Sequence, residues 1–332
     1  MVNMIGRRGS GPCAWGLLLL GACARPPAPP PAASITLSAS APLALRAPLV
    51  PTPPAAVPAA PRPPPDLPRA QIYPWLADPA AAVPPEAGPL DERFDPPQGF
   101  ARVDLAPGSF GAWLRRLPLA RAGSAVLSFR GDVVLPAGHD NLAAVVALDV
   151  GAADLQQCAD SILRLHAEWL YAQGRRDASY RAASGAPMPF ARWARGERLV
   201  PRGLSFAWAP QARPDAGHAT YRRWLDAVFA YANTGSLARD GEPVPAAELR
   251  PGDFVVQAGA PGHAVLVLDL ARAPDGRRAL LLGQGFMPAQ SFQVLRPSPA
   301  SAWFLVDPDA QALATPFWPP FPWKALRRFA GT

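Results

Sequence analysis

Proline fills a long stretch near the start of this chain and decides where a fold can begin. Sixteen of the 43 residues from Pro26 to Pro68 are proline. Proline has no backbone N–H and fixes φ, so the stretch favours extended polyproline II over helix or sheet. We therefore predict a tether over residues 24–70, which at ~3.1 Å per residue spans roughly 130 Å when fully extended. One globular domain is predicted over residues 71–332.

The segment before the tether has the three parts of a secretory signal peptide. Arg7 and Arg8 precede ten mainly apolar residues, too few to span a bilayer that needs about 20. The residues Leu20-Gly21-Ala22-Cys23 then resemble the lipobox of bacterial lipoproteins. The resemblance implies a signal peptide over residues 1–23 and a Cys23 acylated with chains such as palmitate. Such a protein is anchored in a membrane of the cell envelope and faces the periplasm or the exterior. An ordinary cleaved signal with a chance cysteine is the alternative.

The positive charge of the chain is concentrated before the domain. The formal net charge is +7, but six of the 32 basic and one of the 25 acidic residues lie in residues 1–69. The remaining 26 basic and 24 acidic residues leave the domain near neutrality, which argues against a nucleic-acid partner. The only lysine is Lys324, so a P-loop is excluded. The expected partners are the membrane, through the lipid, and cell-wall peptide or glycan.

The order of predicted elements favours an α+β fold. Helices are predicted over 108–116, over 155–173 with Asp154 as N-cap, and over 219–231. Strands are predicted over 126–129, 142–149, 254–257, 264–270 and 278–284, the last two joined by a turn at Pro274-Asp275-Gly276. The strand over 142–149 is almost wholly apolar and is expected to be central in its sheet. The domain is thus expected to combine helices with a small antiparallel sheet.

Cys158 is the only thiol expected in the mature domain besides the lipidated residue. It lies about one turn into the helix that Asp154 is predicted to cap, where the helix N-terminus favours the nucleophilic thiolate. It also belongs to an apolar stripe with Leu155, Ile162 and Leu165 that is typical of a core-facing helix. Cys158 is therefore either a nucleophile or a buried structural thiol.

Two further residues would complete a catalytic arrangement with that thiol. His263 begins a predicted strand and is the candidate base, and Gln284, at the end of the next strand, is the candidate residue that orients the imidazole. The backbone N–H of Cys158, with Gln157, would stabilise an oxyanion. His263 in a purely structural role is the alternative.

Residues 250–284 resemble papain-like amidases and peptidases of the NlpC and CHAP type. The shared features are a Pro-Gly-Asp-hydrophobic strand at Pro251-Gly252-Asp253-Phe254, a Gly-His-hydrophobic strand at Gly262-His263-Ala264, and a third polar residue, Gln284. This resemblance implies an α+β domain with a papain-like core, in which a Cys-bearing helix packs on a small antiparallel sheet. The chain departs from those proteins around the nucleophile, where it reads Gln157-Cys158-Ala159-Asp160.

A closer resemblance covers residues 73–329. The chain is similar to an uncharacterised bacterial family, the domain of unknown function 4846, in the strings 155–160, Pro261-Gly262-His263-Ala264 and Met287-Pro288-Ala289-Gln290. This resemblance implies a secreted or lipid-anchored protein and brings no activity. Where the family usually continues Asp-Ile-His, the chain has Ser291-Phe292-Gln293.

Other motifs are weaker. No zinc-binding spacing is present, so neither a metal nor another cofactor is expected. The segment 203–207 lacks the final glycine of a serine nucleophile elbow, and Asp253 and Asp269 read as turn and strand-end residues. Two hypotheses remain: an envelope cysteine amidase or peptidase acting on cell-wall peptides, and a non-catalytic envelope lipoprotein with a binding or structural role.

Overall fold

The computed structural model describes residues 68–79, 81–203 and 205–332. The predicted signal peptide, the lipobox with Cys23 and the tether up to residue 67 lie outside these residues. Within the described part, no helix has both the length and the apolar character needed to cross a membrane.

The helices of the described residues are mostly short, and only two exceed eight residues. Three 3₁₀ helices lie at Pro74–Ala77, Ala246–Glu248 and Trp323–Ala325. The α-helices are α1 (Arg69–Ile72), α2 (Leu90–Arg93), α3 (Phe110–Arg115), α4 (Cys158–Ala172), α5 (Phe190–Ala194), α6 (His218–Tyr231) and α7 (Thr234–Asp240).

Strands predominate, and most have two to five residues. They are β1 (Glu86–Pro89), β2 (Ala101–Arg102), β3 (Pro118–Ala120), β4 (Val126–Leu127), β5 (Val133–Leu135), β6 (Leu142–Val145), β7 (Ser179–Arg181), β8 (Pro187–Pro189), β9 (Glu197–Arg202), β10 (Ser205–Pro210), β11 (Gly241–Pro243), β12 (Phe254–Gln257), β13 (His263–Arg272), β14 (Arg278–Gln284), β15 (Gln293–Leu295), β16 (Phe304–Val306), β17 (Ala312–Thr315), β18 (Trp318–Pro322) and β19 (Leu326–Phe329).

The expected α+β domain with a papain-like core and a small sheet is wrong. The described residues are mainly β, with 19 strands, nine of which form one large antiparallel sheet. Its order is β11-β19-β12-β13-β14-β15-β6, with β16 also paired to β14 and β2 to β13. The sequence concealed this size because strands as short as β11, β15 and β19 are too brief to show a period-two pattern.

Both faces of the large sheet are buried at its centre. Along β13, Leu266 and Leu268 belong to the core that also contains residues of α4 and α6. Val265 and Val267 point to a second core, which includes Phe321 of the β17–β18 hairpin. Helix α4 packs on β13 and β14. The first residues of α4 are thereby brought to the sheet.

The predicted helices 108–116 and 219–231 are confirmed as α3 and α6, with ends shifted by up to two residues. Strand β6 stops at Val145 and lies at one end of the sheet order, so the central position expected for residues 142–149 is wrong. The long helix begins at Cys158, three residues later than predicted.

Candidate functional site

Helix α4 begins at Cys158 because the residue before it is not helical. Gln157 has an extended backbone, and its N–H donates to Asp160 Oδ2 at 3.2 Å. A side chain at the third helical position that binds the N-cap backbone satisfies one of the unpaired donors at a helix start. Cys158 is therefore the first residue of α4.

Asp154, the predicted N-cap, has another role. Its Oδ1 accepts the backbone N–H of Ala289 at 2.7 Å and the Nε2–H of Gln157 at 3.0 Å. The prediction of Asp154 as cap of α4 was therefore wrong by three residues. The side chain ties the segment after β14 to the start of α4.

A buried charge network fixes the segment just before the cysteine. Arg164 is fully buried and binds Asp149 at 2.8 Å and Glu168 at 2.8 Å. It also donates to Gln156 Oε1 at 3.0 Å, and Gln156 in turn donates to the carbonyl of Asp149 at 3.1 Å. Because Gln156 is held on both sides of its amide, the chain leading into Cys158 is rigidly placed.

The loop after β14 also lies tightly against the start of α4. A Cβ added to Gly285 would come within 2.3 Å of Ser161 Oγ and 2.8 Å of the Gln157 carbonyl oxygen. Contacts below 3.0 Å leave no room for a side chain, so a glycine is required at this position. The end of β14, where Gln284 lies, is thus adjacent to the Cys158 end of the helix.

His263 and Gln284 form the contact that the sequence predicted. His263 Nε2 lies 2.7 Å from Gln284 Oε1, and both side chains are fully buried. An amide oxygen only accepts, so Nε2 carries the proton and Nδ1 holds the lone pair. Among the described residues, Nδ1 has no hydrogen-bond partner. Gln284 therefore fixes the orientation of the imidazole through Nε2, and the lone pair on Nδ1 accepts no hydrogen bond from the described residues.

Aromatic rings cover the imidazole. The ring centroid of His263 lies 4.8 Å from that of Phe286, 5.0 Å from Trp318 and 6.2 Å from Phe321. Burial among these rings lowers the pKa of His263 to about 4, although the hydrogen bond with Gln284 opposes that change. At neutral pH the imidazole is uncharged and can accept a proton.

The sulfur of Cys158 lies beside the start of β13. The backbone N–H groups of Ala264, the residue after His263, and of Ala159 lie near Sγ and favour its ionised form. Three elements that are far apart in the sequence, the start of α4, the start of β13 and the end of β14, therefore bring Cys158, His263 and Gln284 together. Sγ and Nδ1 of His263 form no hydrogen bond with each other.

The resting thiol is not the thiolate that the helix N-terminus alone would favour. Burial and then the charge of Asp160 raise the pKa of Cys158 to about 11, and the surrounding N–H groups only partly oppose this. Cys158 is 4% exposed. At neutral pH the site holds a thiol and a neutral imidazole, so any reaction must transfer the proton as the sulfur attacks.

Of the two predicted oxyanion donors, the N–H of Cys158 faces the sulfur of its own side chain and the N–H of Gln157 is already bound. The N–H of Cys158 belongs to the first turn of α4, where helical N–H groups have no intrahelical acceptor. The N–H of Gln157 already donates to Leu155 and Asp160. Gln157 can contribute only through the second hydrogen of its side-chain amide, since the first is bound to Asp154.

A cavity of about 610 Å³ opens at the start of α4. Its wall comes from the start of α4, the α6–α7 junction, the loop before β13 and the segment after β14: Asp154, Leu155, Gln157, Cys158, Ala159, Asp160, Phe229, Ala230, Ala232, Asn233, Thr234, Gly259, Ala260, Pro261, Gly262 and Met287. Asp160 in this wall is 7% exposed, and burial raises its pKa to about 8.

The other acidic and serine candidates have structural environments. Asp253 binds Arg328 at 2.6 Å, and Asp269 binds both Arg102 and Arg115. The two carboxylates are therefore each paired with arginine and not with one another. Ser205 begins β10 of the β9–β10 hairpin, which differs from the strand-turn-helix context of a serine nucleophile.

No group of three or more His, Cys, Asp and Glu side chains suited to a metal ion occurs among the described residues. The histidines outside the site bind protein groups. His139 accepts the N–H of Asn141, His166 pairs with the Tyr180 hydroxyl at 2.9 Å, and His218 pairs with Glu168.

Sequence reasoning missed two contributors to the site. The Arg164–Glu168 pair has the i,i+4 spacing of a surface salt bridge, and the sequence holds no sign that this face is buried. Asp160 lies where the chain departs from the papain-like amidases, and its spacing from Gln157 is that of a capping residue.

Comparison with known families gives a description without an activity. A family model described as a domain of unknown function (4846) matches residues 90–328. No curated protein and no solved structure gives a significant match to the chain. The matched range contains Cys158, His263, Gln284 and the whole cavity wall.

Proposed function

The chain belongs to the family described as domain of unknown function 4846, and because membership of this family implies no activity, we propose from the site that the protein is a cysteine amidase or peptidase. The observation that carries the proposal is that the start of α4 with Cys158, the start of β13 with His263 and the end of β14 with Gln284 lie against one another. The imidazole is held at Nε2 by Gln284, and its Nδ1 has no other partner among the described residues. A nucleophile, a base and an orienting group are the parts that thiol catalysis needs.

In the proposed reaction, Sγ of Cys158 attacks an amide carbonyl carbon while Nδ1 of His263 takes the thiol proton. The C–N bond then breaks, the imidazolium returns its proton to the leaving nitrogen, and an amine departs from a thioester. Water attacks the thioester, His263 takes and returns one proton, and the acid and the Cys158 thiol are released. The N–H of Cys158 and the Gln157 side chain would stabilise the oxyanions.

We take the substrate to be a cell-wall peptide and the location to be the cell envelope. Both depend on the lipoprotein signal predicted at residues 1–23, since a protein with such a signal would be exported from the cytoplasm. The distant likeness of residues 250–284 to NlpC and CHAP amidases supports amide cleavage as the chemistry. The cavity beside Cys158, about 610 Å³, has room for several residues of a peptide.

The decisive experiment measures how fast iodoacetamide alkylates Cys158 between pH 6 and 11, read by mass spectrometry of its peptide. If His263 takes the thiol proton, His263→Ala and the bulkier His263→Gln slow alkylation at pH 7 by about tenfold or more. The rates converge near pH 11, where hydroxide removes the proton without help. His139→Ala, which lies outside the site, serves as the matched control and leaves the rate unchanged.

Equal rates for wild-type protein and both His263 variants at pH 7 would contradict the amidase proposal. The second candidate, a non-catalytic envelope lipoprotein that binds a ligand in the same cavity, would then be preferred. The burial of His263, which is 0% exposed, is the observation that favours it. In that case Cys158→Ser would retain ligand binding.

A further inference from the structure

Asp160 differs from the other buried carboxylates of the described residues in having no cationic partner. Asp149, Glu168, Asp253 and Asp269 are each bound by at least one arginine, in contacts that include 2.8, 2.8, 2.6 and 2.7 Å respectively. For Asp160 no ion pair is formed, and its Oδ1 has no hydrogen-bond partner among the described residues. A buried carboxyl group is usually either paired or protonated, so an ionised Asp160 would need a partner from outside the described residues.

Among the described residues, the cavity wall contributes no positive charge that could compensate Asp160. Its titratable groups are Asp154, Cys158 and Asp160, and neither the α6–α7 junction, the loop before β13 nor Met287 adds an arginine, lysine or histidine. Asp154 is exposed and already accepts two hydrogen bonds. A ligand cation is therefore the remaining source of neutralisation for an ionised Asp160.

Asp160 is also close enough to Cys158 to contact a substrate beside the amide bond that the thiol would attack. It is two residues after Cys158, within the same turn of α4, and both side chains line the cavity. Its Oδ2 accepts the N–H of Gln157, whereas Oδ1 is buried and has no hydrogen-bond partner among the described residues.

We propose that Asp160 is a cation subsite that selects substrates carrying an ammonium group beside the amide attacked by Cys158. That the bound molecule is a substrate rests on the proposed function, whereas the binding of a cation by Asp160 does not. Without ligand the carboxyl group is protonated at neutral pH, because burial raises its pKa to about 8. An arriving ammonium group favours the ionised form and forms a salt bridge in a site with little water.

The test uses thiol reagents of equal length and different charge. Methanethiosulfonates with an ethylammonium, a hydroxyethyl or an ethylsulfonate end each react with Cys158 to form a disulfide and release methanesulfinate. The ratio of the rates for cationic and anionic reagents cancels the ionisation of the thiol. The full-length protein is used, and modification of Cys158 is read from its peptide by mass spectrometry.

In the wild-type protein we expect the cationic reagent to be preferred by at least about tenfold at pH 9, with the preference growing as pH rises through 8. Asp160→Asn removes that preference and its pH dependence. Asp154→Asn, the matched change of an exposed carboxylate in the same wall, alters the ratio by less than about threefold because water screens it.

Equal ratios in wild-type protein and Asp160→Asn at pH 9 would overturn the inference. Equal reaction rates for the neutral and the cationic reagent would also overturn it, since the site would then recognise a hydrogen-bonding group and not a positive charge. If Asp160→Asn does not fold, the pH dependence of the wild-type ratio decides alone: a ratio that stays constant from pH 6 to 9 overturns the subsite. His263 variants do not enter this ratio, so the subsite and the amidase can fail separately.

Discussion

At the scale of single residues, burial acts on Cys158, His263 and Asp160 in the same sense and favours the neutral form of each. The pKa of the thiol is raised to about 11, that of the imidazole is lowered to about 4, and that of Asp160 is raised to about 8. The site thus holds three groups that acquire charge only when something else supplies the compensating charge.

Asp160 should lower the stability of the unliganded protein at high pH. Between its ordinary pKa of 3.8 and its folded value of about 8, the folded state keeps a proton that the unfolded chain has lost. The free energy of unfolding therefore falls as pH rises through this window. Replacing Asp160 by Asn removes the effect, so we expect the variant to be more stable than wild-type protein by about 1–3 kcal/mol at pH 9.

Urea unfolding at pH 5 and pH 9 measures this difference. The stability gain of Asp160→Asn should be clearly larger at pH 9 than at pH 5. His263 affects stability at low pH instead. Because its folded pKa is low, the free energy of unfolding falls below about pH 6.5, where the unfolded chain gains a proton. This effect is the same in wild-type protein and Asp160→Asn, so it cancels in their difference. A gain that is equal at the two pH values would show that Asp160 does not titrate as described.

At the scale of elements, α4 is held by charges inside the protein. Arg164 and Glu168 both have fully buried side chains, and Glu168 also binds His218 of α6. Removing one partner of a buried pair leaves an uncompensated charge. We expect Glu168→Gln to reduce the free energy of unfolding by about 3 kcal/mol and to slow the alkylation of Cys158 less than the His263 variants do.

A nearby surface pair provides the control. Arg175 and Asp177 lie just after α4 and are both exposed, at 3.2 Å. Exposed pairs contribute little, so Asp177→Asn should change the stability by less than about 1 kcal/mol. Urea unfolding compares the two variants, and an equally small loss for Glu168→Gln would mean that Arg164 is sufficiently compensated by Asp149 alone.

The sequence was informative where an element carried a strong local signal. Strands β12, β13 and β14 are continuous apolar runs, and α6 has a clear helical period, so their positions were predicted to within a few residues. The contact of His263 with Gln284 followed from the antiparallel pairing of β13 and β14. These features depend on neighbouring residues and on one short turn.

The remainder depends on contacts between distant segments. β19 reads Leu-Arg-Arg-Phe and β11 reads Gly-Glu-Pro, which carry no strand pattern. They become strands through pairing, β11 with β19 and β19 also with β12. The start of α4 was misplaced because Asp154, a good N-cap by type, is occupied by Ala289, 135 residues away. The charged face of α4 is buried by residues that are distant in the sequence, so a short stretch of sequence around the helix does not predict this burial.

At the scale of the whole molecule, the tether and the lipid signal predict a domain that is attached to a membrane and held away from it. Changing Cys23 to Ser should abolish incorporation of a fatty-acid label and move the protein from the membrane fraction to the soluble fraction of the expressing cells. Cys158→Ser is the matched control and should keep the label. Label retained in Cys23→Ser would contradict the lipobox.

The position of β19 sets the order in which the fold can be completed. This strand, Leu326–Phe329, lies between β11 and β12. The ring of Phe329 stacks on that of His166 of α4, with the ring centroids 3.9 Å apart. A chain synthesised from its N-terminus has made β11 and β12 some seventy residues before the strand that separates them. Until then, the edge of β12 is open to pairing with other chains. The large sheet therefore becomes continuous from β11 to β12 only after the residues of β19 have been synthesised.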